Sequence, residues 1–145
     1  MVLVVFAVQC LIVFGSRLLL QSLFERLYGR LAYLMDHFGQ AGPTLVFLVL
    51  IALATLLEEL TFRGLIQERL SWFTHQRIAV VVSSLLMGLA YMTLGEPVAM
   101  AGDYAQVSVD STLYGLIYAK SHSVMVAWIA HMAADYVSIA LLLLL

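Results

Sequence analysis

Charge is the scarcest property of this chain: Lys, Arg, Asp and Glu together make up 11% of its 145 residues, against about 25% in soluble domains. Hydrophobic residues account for 63% and the mean hydropathy is +1.01, so the sequence predicts an integral membrane protein with the lipid bilayer as its first partner. The formal net charge is -2 and no basic run occurs, which excludes nucleic acid as a partner because nothing is present to neutralise a phosphate backbone. The single cysteine, Cys10, excludes an internal disulfide. Residues 1–15 lack the basic start of a secretory signal and the hydrophobicity continues past them, which makes them the beginning of a first transmembrane helix.

A bilayer crossing takes roughly 20 apolar residues. The length therefore leaves no room for a separate soluble domain, and the expected fold is all-α: a polytopic, multi-pass transmembrane helical bundle of about five spans plus an interfacial amphipathic helix, in a single domain over 1–145. The first span is residues 2–24. Over 25–42, Arg26, Arg30, Asp36 and His37 alternate at helical spacing with Leu27, Leu31, Leu34 and Phe38, the pattern of a helix lying in the interface. Gly42-Pro43 opens a second spanning helix through Leu45 to Leu57. Trp72, Phe73, His75 and Arg77 form an interface belt before a third span, Ile78 to Leu94, whose Ser84-x3-Gly88 spacing permits close helix approach.

Residues 96–110, with Glu96, Pro97, Asp103 and Asp110, are the most polar connection and are expected as an aqueous loop with a short helix at Val98 to Ala101. A fourth span follows at 105–119, Lys120 to Ser123 breaks the pattern, and Val124 to Leu145 make the last. The closing run Leu141 to Leu145 carries no polar residue to mark an interface, which is compatible with a short or truncated C-terminus. The positive-inside bias places Arg69, Arg77 and Lys120 on the cytoplasmic side.

The scarce charges are concentrated. Leu56-Leu57-Glu58-Glu59-Leu60-Thr61-Phe62-Arg63-Gly64 sets two carboxylates and a guanidinium at the end of an apolar segment, where each would cost about 2.5 to 3.5 kcal/mol at the bilayer centre. Such a run either snorkels to an interface or serves a polar site. Residues four apart on a helix share a face and neighbours point about 100° apart, so Glu59 can pair with Arg63 while Glu58 looks elsewhere and is free to act as a general base. His131-x3-Asp135 is a second polar pair on one helical face, deep in the last span. Asp135 is positioned to set the orientation and tautomer of His131, leaving the other nitrogen for a water, a metal or a developing oxyanion. Either pair alone has a structural explanation, as a snorkelling salt bridge or as polar glue between helices; both in one small bundle point to a site. His37, His75 and His122 fall in interfacial or connecting segments and Trp72, Phe73 and Trp128 read as belt or packing residues.

Glu58-Glu59-Leu60-Thr61-Phe62-Arg63 resembles the EExxxR motif of the CAAX protease and bacteriocin-processing family of intramembrane endopeptidases, also called the Abi family, and the following Gly64 strengthens the match. The resemblance covers residues 45–145. His131-x3-Asp135 is similar to the family's third motif, HxxxN or HxxxD. The second motif, FxxxH, is where the chain departs, with Met87 in place of the phenylalanine and Tyr91 in place of the histidine. A phenol, with an ordinary pKa of about 10, is a poor base near neutral pH, although it can donate a hydrogen bond.

The resemblance implies an enzyme that hydrolyses a peptide bond in a prenylated or otherwise membrane-bound peptide. Glu58 would be the base on the attacking water, Glu59 and Arg63 its support, and His131 with Asp135 the stabilisers of the tetrahedral intermediate, with Tyr91 at the remaining catalytic position. An ionised Asp135 cannot donate to an oxyanion, so orienting His131 or holding a metal suits it better. The site would work with zinc or with no metal; the candidate ligands are Glu58, His131 and Asp135, without the His-Glu-x-x-His arrangement of the usual zinc peptidases. Tyr91 equally fits a catalytically impaired relative serving as a membrane binding, immunity or scaffold protein. A transporter is disfavoured because no paired broken helices are visible, and the oligomeric state stays open.

Overall fold

The computed structural model describes residues 45–92 and 97–144, together with Ala7, Cys10 and Leu11. The first predicted span apart from those three residues, the amphipathic helix of 25–42, the Gly42-Pro43 opening, Gly95-Glu96 and Leu145 lie outside the described residues. The order of elements is α1 (Leu45–Glu59), a π-helical stretch (Leu60–Gln67), α2 (Glu68–Ser71), α3 (Gln76–Tyr91), α4 (Pro97–Ser121) and α5 (Val124–Leu144). No strand occurs among the described residues, in keeping with an environment that leaves no water to satisfy an open backbone.

Two segments are long and apolar enough to cross a membrane, Leu45–Ser71 and Val124–Leu141, and Gln76–Tyr91 is apolar but shorter. The packing is inverted relative to a soluble domain. Leu45, Leu53, Leu57, Ile78, Val81, Leu85, Leu89 and Ile129 point outward, while Thr55, Glu59, Arg63, Gln67, Ser83, Ser84, Ser111 and His131 are buried. Where the surroundings are apolar, burying a leucine gains little, and small residues and hydrogen bonds join the helices instead.

Each helix junction shows this economy. Gly88 on α3 faces α4 so closely that a Cβ there would lie 2.2 Å from Ser108 Oγ, and a Cβ on Gly115 of α4 would lie 3.0 Å from Gln67 Oε1. The close approach predicted from Ser84-x3-Gly88 is thus made by α3 against α4. Gln67 Nε2 donates to Gly115 O at 3.0 Å and Ser83 Oγ to Phe62 O at 2.7 Å. On the other side, Trp128 Nε1 donates to Ala52 O at 2.8 Å and Tyr136 Oη to Leu48 O at 2.7 Å, docking α5 along α1. His75, predicted as an interface residue, caps α3 by accepting from the Arg77 N–H at 3.3 Å. His122, with φ 51°, ends α4 at the predicted break.

Residues 97–110 differ from expectation. The segment is the first half of one 25-residue helix, α4, and Asp103 is buried within it. Pro97 stands at the first helical position, where a missing N–H removes no hydrogen bond. Asp103, Gln106 and Asp110 follow at intervals of three and four, so their polarity marks one inward face of a helix and not a solvated loop.

Candidate active site

The charged run lies where α1 passes into the π-helical stretch, whose wider turns often accompany functional positions. Thr61 Oγ1 bonds back to Leu57 O at 2.8 Å, and Ser83 covers the Phe62 carbonyl from α3, so carbonyls along the widened turn have partners. Glu59, Arg63 and Gln67, at intervals of four, are all fully buried on one face of this segment. Glu58, one residue earlier, points to a different side.

Glu59 and Arg63 form an ion pair, with Oε2 and Nε 3.2 Å apart. Arg63 also reaches two other helices: Nη1 donates to Met87 Sδ on α3 at 3.1 Å, and Nη2 donates to the Ser111 carbonyl at 2.6 Å and hydroxyl at 3.0 Å on α4. Its guanidinium lies 5.9 Å from the centre of the Tyr114 ring. A planar, many-donor side chain suits this hub in a way a lysine could not. Both partners being fully buried, the pair is costly to break from one side.

The second oxygen of Glu59 faces α5, where Oε1 is 2.9 Å from His131 Nδ1. The imidazole stacks on Tyr114, with ring centroids 4.3 Å apart and planes inclined by 19°. His131 is therefore held by Glu59 and Tyr114. Asp135, expected to orient the ring, has Oδ2 3.8 Å from Nε2, beyond hydrogen-bond length. The hydrogen bond to the ring comes from Glu59 across the bundle, a contact that spacing along one helix does not reveal, while Asp135 stays beside the ring on its own helix.

Nε2 of His131 also lies 3.9 Å from Glu58 Oε2. Tyr91, on the last turn of α3, donates its hydroxyl to Glu58 Oε1. A cavity of about 250 Å³ opens among these groups, lined by Glu58, Tyr91, His131 and Asp135 and, from α4, by Gln106, Asp110, Ser111 and Tyr114. The structure thus brings the six sequence-derived residues together in two layers: Glu58, Tyr91, His131 and Asp135 at the cavity, with Glu59 and Arg63 beneath. Met87, Ser111 and Tyr114 were not singled out as site residues. Their signal was the inward polar face of α4 and the Met87 position itself, and neither reveals its partner until α3 and α4 are in register.

Separations of 3.8 and 3.9 Å around one imidazole nitrogen leave room for a water molecule to bridge Glu58, His131 and Asp135. Such a water would meet a carboxylate base, a ring nitrogen and a second carboxylate. Among the described residues, no group of three or more His, Cys, Asp or Glu side chains is arranged to hold a metal ion.

No curated protein and no solved structure matches the chain. A family model described as Type II CAAX prenyl endopeptidase Rce1-like matches residues 40–137, about two thirds of the sequence and every residue of the cavity named above. With the charged run, the His131 pair and their shared cavity all inside that interval, the chain belongs to the Rce1-like family of type II CAAX prenyl endopeptidases.

Proposed function

We propose that the protein is an intramembrane endopeptidase that hydrolyses a peptide bond in a prenylated or otherwise membrane-bound peptide, with Glu58 as general base. The observation that carries this reading is the convergence of Glu58 and His131 on one open cavity, with Oε2 and Nε2 3.9 Å apart. Tyr91 occupies the other Glu58 oxygen, which leaves Oε2 as the atom facing the ring. A water placed there loses a proton to Oε2 as its oxygen adds to the peptide carbonyl. Glu59 and Arg63 do not touch this water; they fix the helix segment and the imidazole that shape its position. The multi-pass topology of about five spans predicted from composition would set the cavity within a bundle whose exterior is apolar.

A second reading has one specific observation in its favour. Tyr91 stands where the family pattern has a histidine, and its hydroxyl rests on the would-be base, an arrangement that suits a relative that binds a peptide without cleaving it. One assay separates the two: purified protein in detergent with a prenylated peptide. Cleavage by the parent, lost in Glu58→Ala and in Glu58→Gln, supports the endopeptidase. Full activity in either variant contradicts Glu58 as base, and an inert parent that gains cleavage as Tyr91→His argues that the parent has lost catalysis, as the second reading requires.

A further inference from the structure

We propose that Asp110 of α4 sets the substrate specificity of the cavity by pairing with a lysine or arginine side chain next to the peptide bond that is cut. The inference rests on the reading of this cavity as the peptide site, and names the class of peptide it takes.

Apart from Met87 and Val107, each lining side chain of the cavity carries an oxygen or nitrogen. Such an interior suits a peptide and leaves a lipid anchor to the apolar exterior. Its charge is of one sign. Glu58, Asp110 and Asp135 reach it from three different helices, while Glu59 beneath them is balanced by Arg63. His131 is the lining residue that can carry positive charge, and even an imidazolium leaves the three carboxylates in excess.

The Lys and Arg side chains of the described residues stand elsewhere. Arg63 is fully buried and held by Glu59, Met87 and Ser111, and Arg69 lies over the Trp72 ring at 4.3 Å. Arg77 is in the first turn of α3, whose last residue is Tyr91 at the cavity. Lys120 follows Asp110 by ten residues on α4, about 15 Å along the axis. A carboxylate wall in apolar surroundings gains most from a cation at hydrogen-bond distance, and here the substrate is placed to supply it. A peptide carboxylate at the same point would meet charge of its own sign.

Among the three carboxylates, Glu58 and Asp135 belong to the surroundings of the water, since both approach His131 Nε2, at 3.9 and 3.8 Å. Asp110 comes from another helix. The next residue, Ser111, bonds Arg63 and fixes α4 against the π-helical stretch. One turn before Asp110, Gln106 also lines the cavity, and its Oε1 has no hydrogen-bond partner among the described residues. That oxygen suits a backbone N–H of a peptide whose side chain extends to Asp110.

A panel of prenylated peptides in detergent tests this, identical except that each position within two residues of the cleaved bond is in turn lysine, norleucine or glutamate. At one position the parent should prefer lysine to norleucine by about 10- to 100-fold in kcat/KM, the range of a hydrogen bond to a charged group, and should reject glutamate. Asp110→Asn should bring the lysine-to-norleucine ratio close to one and Asp110→Glu should restore it, with the thermal midpoint unaltered. A parent indifferent to lysine at every position overturns the inference, as does a parent-like ratio in Asp110→Asn or an equal slowing of all peptides, which would make Asp110 structural. If the parent cleaves nothing, the endopeptidase reading falls, and dissociation constants for the same panel decide the assignment of Asp110 by the same ratios.

Discussion

At the scale of single residues, the site is organised by a buried ion pair more than by the groups that face substrate. Glu59 holds Arg63 with one oxygen and His131 with the other, so one carboxylate ties the π-helical stretch to α5 while the guanidinium ties it to α3 and α4. Removing Glu59 leaves a fully buried cation without its counter-charge. Glu59→Ala is expected to lower stability by about 3 to 5 kcal/mol, read as a fall in the thermal midpoint in detergent, and to leave the remaining folded protein impaired because His131 loses its Nδ1 partner. Ser111→Ala should cost only about 1 kcal/mol, since the Ser111 carbonyl keeps its bond to Arg63 at 2.6 Å. Much of this layer was legible in the sequence: Glu59 with Arg63, and His131 with Asp135, follow from intervals of four on a helix. The bond from Glu59 to His131 was not, because a cross-helix contact depends on how α1 and α5 dock.

At the scale of elements, α3 against α4 decides whether the cavity has its third wall. Gly88 allows the approach, and a methyl group there meets Ser108 Oγ at 2.2 Å and the Tyr104 ring at 3.1 Å. Gly88→Ala is expected to destabilise by about 1 to 3 kcal/mol and to reduce activity by moving Ser111 and Tyr114 away from Arg63 and His131. Adding Ser108→Ala should recover part of the lost thermal midpoint, whereas no recovery would show that the contact is not the cause. The sequence signalled the small residue on α3 but not its partner, since α4 was divided into a loop and a shorter helix. Polar residues between apolar spans resemble an aqueous connection by composition; only the three-and-four spacing of Asp103, Gln106 and Asp110 separates an inward helix face from a loop.

At the scale of the molecule, the chain is an integral membrane protein of the Rce1-like family, with many large apolar residues exposed and a set of polar and charged residues buried, some of them at one cavity. That inversion was readable from composition, because a chain with so few charges gathers several of them into two motifs on different helices. In the proposed reaction Glu58 activates a water inside this cavity and does not itself attack the peptide. Single-turnover cleavage of a prenylated peptide in ¹⁸O-enriched water tests it most directly, through the mass of the newly formed carboxyl group. Direct addition of water places one ¹⁸O in that carboxyl on the first turnover; a first-turnover product without the label, its oxygen donated by Glu58 through an acyl intermediate, would make Glu58 a nucleophile and not a base.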